Sequence, residues 1–217
     1  MSDSSPLKIH PSAVVDVGAI IGDGTAIWHF SHICGGAVIG ENCSLGQNVL
    51  VADNAFLGNN VKVQNNVAIY GGITIEDDVF LGPSCVLTTV TNPRSQVSRK
   101  SLYETTLIKI GATIGANATI VCGITLGRYC FIGAGTVVTK DIQDYGLVLG
   151  NPGKLNGYMS RHGHKLTFNE SGRATCPESK FVYEKREDKV RCIDLSEDEP
   201  MPKEHSFGSK NYSSFKK

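Results

Sequence analysis

Ile, Val or Leu stands at every sixth position from Ile9 to Leu87, through Val15, Ile21, Ile27, Ile33, Ile39, Leu45, Val51, Leu57, Val63, Ile69, Ile75 and Leu81. The series resumes in a shifted phase at Ile108, Ile114, Ile120, Leu126, Ile132 and Val138. About half of average residues are apolar, so an unbroken run of this length arises by chance roughly once in 10^4. A period of six fits neither a single α-helix nor a long flat strand. It predicts a parallel β-helix, in which short strands coil around a thin core. A second column, four residues after the first, is small or β-branched: Ala13, Ala19, Thr25, Ser31, Ala37, Cys43 and so on to Cys85, then Ala112, Ala118, Ile124, Cys130, Thr136 and Ile142. Large and small inward side chains alternate, as close packing of a narrow prism requires. Gly follows the aliphatic residue at Gly22, Gly40, Gly46, Gly58, Gly82, Gly115, Gly127 and Gly133, with Asn nearby. Gly and Asn tolerate positive φ, so these positions are expected to form the corners.

The phase also sets the organisation. Residues 9–143 form the repeat domain, interrupted at 88–107, because Ile108 falls fifteen residues later than the column requires. The interruption is polar and basic, and a long loop leaving a rigid scaffold is a place for function. Residues 144–194 form an extension: a turn at Gly150-Asn151-Pro152-Gly153-Lys154, a short helix within 155–165, and a hairpin within 166–194. Residues 195–217 are rich in Ser, Glu, Asp, Lys and Pro and read as disordered.

Composition narrows the partners. Twenty-one basic and twenty-one acidic residues cancel, which argues against nucleic acid as a partner. No apolar run approaches the length of a membrane span. The start, Met1 to Pro6, lacks the pattern of a secretion signal, and the seven cysteines suit a reducing cytoplasm. Cys43, Cys85 and Cys130 fall in the small inward column, and Cys176 and Cys192 lack paired metal-ligand spacing, so no metal is expected.

Several local motifs carry a resemblance. Ile27-Trp28-His29-Phe30-Ser31-His32, Leu45-Gly46-Gln47-Asn48, Val63-Gln64-Asn65-Asn66-Val67, Glu76-Asp77-Asp78-Val79-Phe80 and Asn92-Pro93-Arg94 resemble the nucleotide-aminosugar 3-N-acetyltransferases among the hexapeptide-repeat acyltransferases. The resemblance covers about residues 9–185, including Tyr158-Met159-Ser160-Arg161-His162-Gly163-His164 and Ala174-Thr175-Cys176-Pro177. Thr89, where Asn often stands, and Gly153, where Ala is usual, depart from the pattern. The resemblance implies an all-β, left-handed parallel β-helix of three six-residue sides per coil. It further implies a homotrimer with sites between subunits, and transfer of acetyl from acetyl-CoA to the 3-amino group of a nucleotide-linked sugar. The acceptor it points to is UDP-2-acetamido-3-amino-2,3-dideoxy-glucuronate, of bacterial O-antigen and related surface-polysaccharide synthesis. The alternative acceptor is a dTDP-3-amino-3,6-dideoxyhexose.

With eighteen residues per coil, one corner stacks Trp28-His29-Phe30, Gly46-Gln47-Asn48, Gln64-Asn65-Asn66, Gly82-Pro83-Ser84, Gly115-Ala116-Asn117 and Gly133-Ala134-Gly135. Its upper half bears imidazole and amides suited to a sugar; its lower half is bare enough for a pantetheine chain along exposed backbone. His29 and Asn66 are the candidate catalytic residues. Gln47, Asn48, Gln64, Asn65, Tyr70, Thr89 and Arg94 are candidates for the sugar nucleotide. Gly115, Ala116, Asn117, Ala134, Gly135, Lys140 and Lys154 are candidates for CoA. An amine attacking a thioester needs near-attack geometry, an oxyanion donor and a proton acceptor. Either His29 or the departing CoA thiolate takes the proton. The bland readings stand beside these: an Asn ladder that satisfies corner backbone groups, a stacked structural His29, and a solvated basic loop. His32, one position past the small inward column, reads as structural, and His10, His162, His164 and His205 receive no role. A γ-type carbonic anhydrase is excluded, since residues 60–130 contain no His. A purely structural β-helix would show regular Thr ladders and no basic excursion.

Overall fold

The computed structural model describes residues 6–215, so Met1 to Ser5, most of the segment read for a secretion signal, lie outside the described residues. Three parallel sheets form the faces of a left-handed prism. The first face runs from Lys8–Ile9 through Ala26–Ile27 and Ser44–Leu45 down to Phe131–Ile132 and Gly146–Leu149. The second runs from Val14–Val15 to Val137–Val138, and the third from Ile20–Ile21 to Thr125–Leu126. Ala26 pairs with Ser44 and Ser44 with Lys62, which fixes the coil at eighteen residues. Seven strands on the second face mark seven coils, and Gly146–Leu149 begins an eighth.

Each strand needs only two or three residues, because one of them, the aliphatic one, points inward. Val63, Leu81 and Ile114 are at most 1% exposed, and the small column (Ala37, Cys43, Ala112, Cys130) is buried with them. The chain's first coils are less covered: Ile9 is exposed and Val15 and Ile21 are half-buried, since nothing caps that end among the described residues. The excursion leaves after Val86–Leu87 and returns at Thr106–Ile108, two residues earlier than the phase alone indicates. It rejoins the third face directly beneath Ile73–Ile75.

The glycines that follow the aliphatic column serve a different purpose from the one expected. None of Gly22, Gly40, Gly46, Gly58, Gly82, Gly115, Gly127 or Gly133 has positive φ. A Cβ on Gly115 would stand 2.5 Å from the Ala134 nitrogen, and one on Gly82 2.6 Å from the Ala116 nitrogen. These glycines let successive coils approach. The positive-φ position comes two residues later, where Asn42, Asn48, Asn54, Asn60, Asn66 and Asn117 stand.

The short helix expected within 155–165 is a strand instead. Lys154–Met159 folds back antiparallel on Gly146–Leu149, and Lys165–Leu166 pairs with it in turn. The open edge of the first face offers unpaired backbone groups, and pairing there outweighs local helical preference. The region 166–194 adds an antiparallel sheet of Arg173–Thr175, Val182–Arg186 and Lys189–Cys192. It closes a second core around Tyr129, Tyr145, Tyr158, Cys176 and Tyr183. The segment read as disordered, as far as residue 215, lies against both the prism and this extension: the Tyr129 hydroxyl donates to the Glu197 carbonyl at 2.8 Å, and the Arg161 guanidinium donates to the Ser196 carbonyl at 2.9 Å. Lys216 and Lys217 lie outside the described residues.

Candidate active site

The edge between the first and second faces is built from a four-residue turn repeated every coil. Its third position holds Phe30, Asn48, Asn66, Ser84, Asn117 and Gly135, all at φ between 56° and 68°. Their N–H groups donate to the coil above: Asn48 to the His29 carbonyl and Asn66 to the Gln47 carbonyl at 2.9 Å, Gly135 to the Ala116 carbonyl at 2.9 Å. Asn in the left-handed region is favoured because its short amide relieves the steric cost locally.

The amides divide between structure and free capacity. The Asn65 side-chain oxygen accepts the Gln47 N–H at 2.9 Å, and the Asn48 side chain donates to that of Asn66 at 3.1 Å. This much is a ladder. The Gln47 and Gln64 side-chain amides have no hydrogen-bond partner among the described residues. Together with Trp28, His29, Ser44, Gly46, Val63 and Asn65 they line an open depression of about 370 Å³. Lower down, Pro83, Ala116 and Ala134 replace the Asn that would serve the coil above. The N–H groups of Asn65, Ala116 and Ala134 are therefore left without a partner among the described residues. The same edge changes from amide side chains to free backbone donors as it descends.

His29 stacks on His10, with ring centroids 3.5 Å apart, and lies parallel to Trp28 at 6.4 Å. Sequence reasoning missed His10, whose position one coil above Trp28 was the available signal. Its Nδ1 lies 2.8 Å from the Ser12 hydroxyl, and Ser12 in turn accepts the Phe30 N–H at 3.1 Å. No carboxylate orients the His29 ring among the described residues.

Of the remaining candidates, Tyr70, Thr89, Arg94 and Lys140 are not brought to this edge within one chain. Tyr70 ends the second face and lines a depression of about 440 Å³ with Cys34, Asp53, Lys100 and Tyr103. Thr89 and Arg94 belong to the excursion on that same far edge and line another of about 430 Å³. There Glu104 ties the loop back, accepting from the Thr91 hydroxyl at 2.6 Å and the Thr91 N–H at 2.9 Å, and these bonds hold its carboxyl below the usual range. The Arg94 guanidinium donates to the Pro93 carbonyl at 3.2 Å, and the Arg99 guanidinium to the Asn92 carbonyl at 2.9 Å. Lys140 follows Val137–Val138 and also falls on the far edge. Lys154 pairs with Leu149 just below the bare half of the first edge, where Gly153 donates to the Val137 carbonyl at 2.8 Å.

Comparison with known proteins bears on the repeat and the family. The bacterial transferase hexapeptide pattern of six repeats matches residues 18–53, 54–89 and 105–140, leaving out the excursion. The chain is 43% identical over 175 residues to the dTDP-3-amino-3,6-dideoxy-alpha-D-galactopyranose 3-N-acetyltransferase of Aneurinibacillus thermoaerophilus, covering 81% of this chain and 90% of that protein. It is 31% identical over 108 residues to the galactoside O-acetyltransferase of Lactococcus lactis, covering 45% of this chain and 52% of that protein. Among solved structures, the acetyltransferase domain of PglB from Neisseria gonorrhoeae in complex with acetyl coenzyme A is similar, at 25% identity and a TM-score of 0.47, covering 71% of this chain and 59% of that one. A hexapeptide pattern matched on both sides of the excursion and a relative shared over four-fifths of the sequence place this chain in the bacterial transferase hexapeptide family.

Proposed function

We propose that the chain transfers acetyl from acetyl-CoA to the 3-amino group of a nucleotide-linked aminosugar. The observation that carries this reading is the divided edge, with amide and imidazole side chains above and unpartnered backbone N–H groups below. A sugar nucleotide needs the first, and the amide-bearing pantetheine of CoA needs the second. The catalysed step joins the sugar nitrogen to the acetyl carbonyl and expels CoA thiolate. Near-attack positioning supplies much of the rate, and a free N–H at Asn65 or Ala116 suits the developing oxyanion. The proton leaves the nitrogen either to His29 or to the thiolate.

Two acceptors are favoured by different observations. The activity named for the Aneurinibacillus relative supports a dTDP-3-amino-3,6-dideoxyhexose. The corner motifs and the basic loop support UDP-2-acetamido-3-amino-2,3-dideoxy-glucuronate, with Arg94 facing its carboxylate. We further propose, on the resemblance to the nucleotide-aminosugar acetyltransferases, that the enzyme works in the cytoplasm and serves O-antigen or related surface-polysaccharide synthesis; no helix of the described residues is long and apolar enough to cross a membrane.

Acetyl-CoA-dependent thiol release, measured over a panel of nucleotide aminosugars, tests the reading. Turnover with at least one 3-amino acceptor is expected; none with any member rejects it. Arg94→Gln then separates the acceptors. It should raise KM for the uronate roughly tenfold or more, as loss of a charge-assisted pair does. It should leave a 6-deoxyhexose acceptor unchanged.

A further inference from the structure

Outside the transferase edge, the extension holds a buried cluster of two imidazoles and a carboxylate. A tight turn creates it. Ser160 donates to the His164 carbonyl at 2.7 Å, Gly163 donates back to the Ser160 carbonyl at 2.9 Å, and Gly163 takes φ of 81°. The turn sets the His162 and His164 rings parallel, with centroids 6.1 Å apart. Glu178 enters between them from the turn after Cys176. Its Oε2 lies 2.6 Å from His164 Nε2 and 3.1 Å from His162 Nδ1. The three side chains are 6%, 9% and 9% exposed for His164, His162 and Glu178.

The outer contacts decide what sits at the centre. His162 Nε2 lies 2.8 Å from the His205 carbonyl, which only accepts, so that nitrogen carries the hydrogen. In a neutral imidazole the other nitrogen is then a lone pair. His162 Nδ1 faces the same carboxylate oxygen as His164 Nε2, and in the neutral ring it can give a lone pair to a cation. The second oxygen, Oε1, is held by the N–H and hydroxyl of Ser209, the hydroxyl at 2.8 Å. Those two bonds, with that from His164, fix the carboxylate between the two rings. A proton bridges two atoms, whereas here three donor atoms on three side chains converge within 4.8 Å of one another. Four-coordinate zinc holds nitrogen and oxygen ligands at about 2 Å, with outer partners fixing each ring.

We propose that His162, His164 and Glu178 bind a divalent ion of the zinc class, which fastens the C-terminal segment to the extension. Imidazole with carboxylate suits Zn²⁺, Co²⁺ or Ni²⁺ rather than Mg²⁺ or Ca²⁺. The role is structural and separate from acetyl transfer, since this cluster belongs to the extension and the transferase edge to the prism. Its partners His205 and Ser209 belong to the segment that composition reads as disordered, which gives the ion something to pin.

The test uses the full chain without an affinity tag, stripped with chelator and titrated with Zn²⁺ and then Co²⁺. One equivalent of Zn²⁺ per chain is expected, with slowed amide exchange over 203–215. Co²⁺ should give visible d–d absorption without a thiolate charge-transfer band. Glu178→Gln and His162→Gln should each weaken binding by more than about tenfold. A second cluster, Asp16, His32 and Cys34, supplies the control. Binding lost in Cys34→Ser but kept in Glu178→Gln, or a thiolate band with Co²⁺, overturns the assignment. So does the absence of stoichiometric uptake by the wild-type chain, a measurement that no misfolded variant can confuse.

Discussion

Phe30 holds the backbone position that Asn, Ser or Gly takes in the coils below, at φ of 58°, with its ring 64% exposed. A bulky side chain in the left-handed region costs about 1 kcal/mol with no burial to offset it. Strain of this kind persists where a side chain is needed for contact, and Phe30 flanks His29 on the candidate edge. Phe30→Asn should therefore stabilise the fold by about 1 kcal/mol, read as a higher urea midpoint at unchanged slope. It should also raise KM for the sugar nucleotide. A stabilised variant with unaltered KM would leave Phe30 without a role in binding. The residue scale is also where sequence reasoning was weakest. Gly46 and Gly115 are legible as corner residues, but their cause is the neighbouring coil: a Cβ on Gly46 would stand 2.5 Å from the Asn65 side-chain oxygen. That distance depends on the stacking of coils, which no single six-residue window contains. The His10 and His29 stack was hidden for the same reason.

At the scale of one coil, the inward columns were legible from Ile27 onward, where each coil is covered by neighbours and spacing decides which side chain is buried. The polar members of the small column show what holds adjacent coils in register. Ser31 is 1% exposed; its hydroxyl donates to the Gly46 carbonyl at 2.8 Å and accepts the Val49 N–H at 3.0 Å. Thr25 does the same between the Gly40 carbonyl, at 2.9 Å, and the Cys43 N–H, at 3.0 Å. Ser31→Ala leaves both backbone groups without that partner and should cost about 1–3 kcal/mol, measured by urea unfolding. A loss under a few tenths would mean that water replaces the hydroxyl. Where spacing falls silent, elements were misread. Residues 155–165 carry no decisive period, and the open edge of the first face, a tertiary feature, selects a strand there.

At the scale of the whole molecule, the prism and the extension meet at Tyr129 and Tyr145, whose rings stack with centroids 5.3 Å apart within the second core. Burial pushes the Tyr129 phenol up to about 12, and burial together with its bond to the Glu197 carboxylate raises Tyr145 as well. A raised phenol favours the neutral form in the fold, so this contribution is complete below the ordinary value of 10 and is lost as pH climbs from 10 towards 12. The melting temperature should fall across that window, and less steeply in Tyr129→Phe than in wild type. The larger consequence concerns assembly. One chain places Asn66 and His29 on the first edge and Arg94 on the next, so a site using both needs two copies of the chain, as the homotrimer that the sequence resemblance implies would supply. Light scattering should then give three times the chain mass of 23.3 kDa. Asn66→Ala and Arg94→Ala should each depress turnover when purified alone. Refolded together, they should form mixed trimers in which some interfaces pair an intact Asn66 with an intact Arg94. Those interfaces should restore activity well above the mean of the two variants. Activity that stays at that mean, in samples shown to have exchanged subunits, would place the loop and the amide edge in separate sites and reject the shared one.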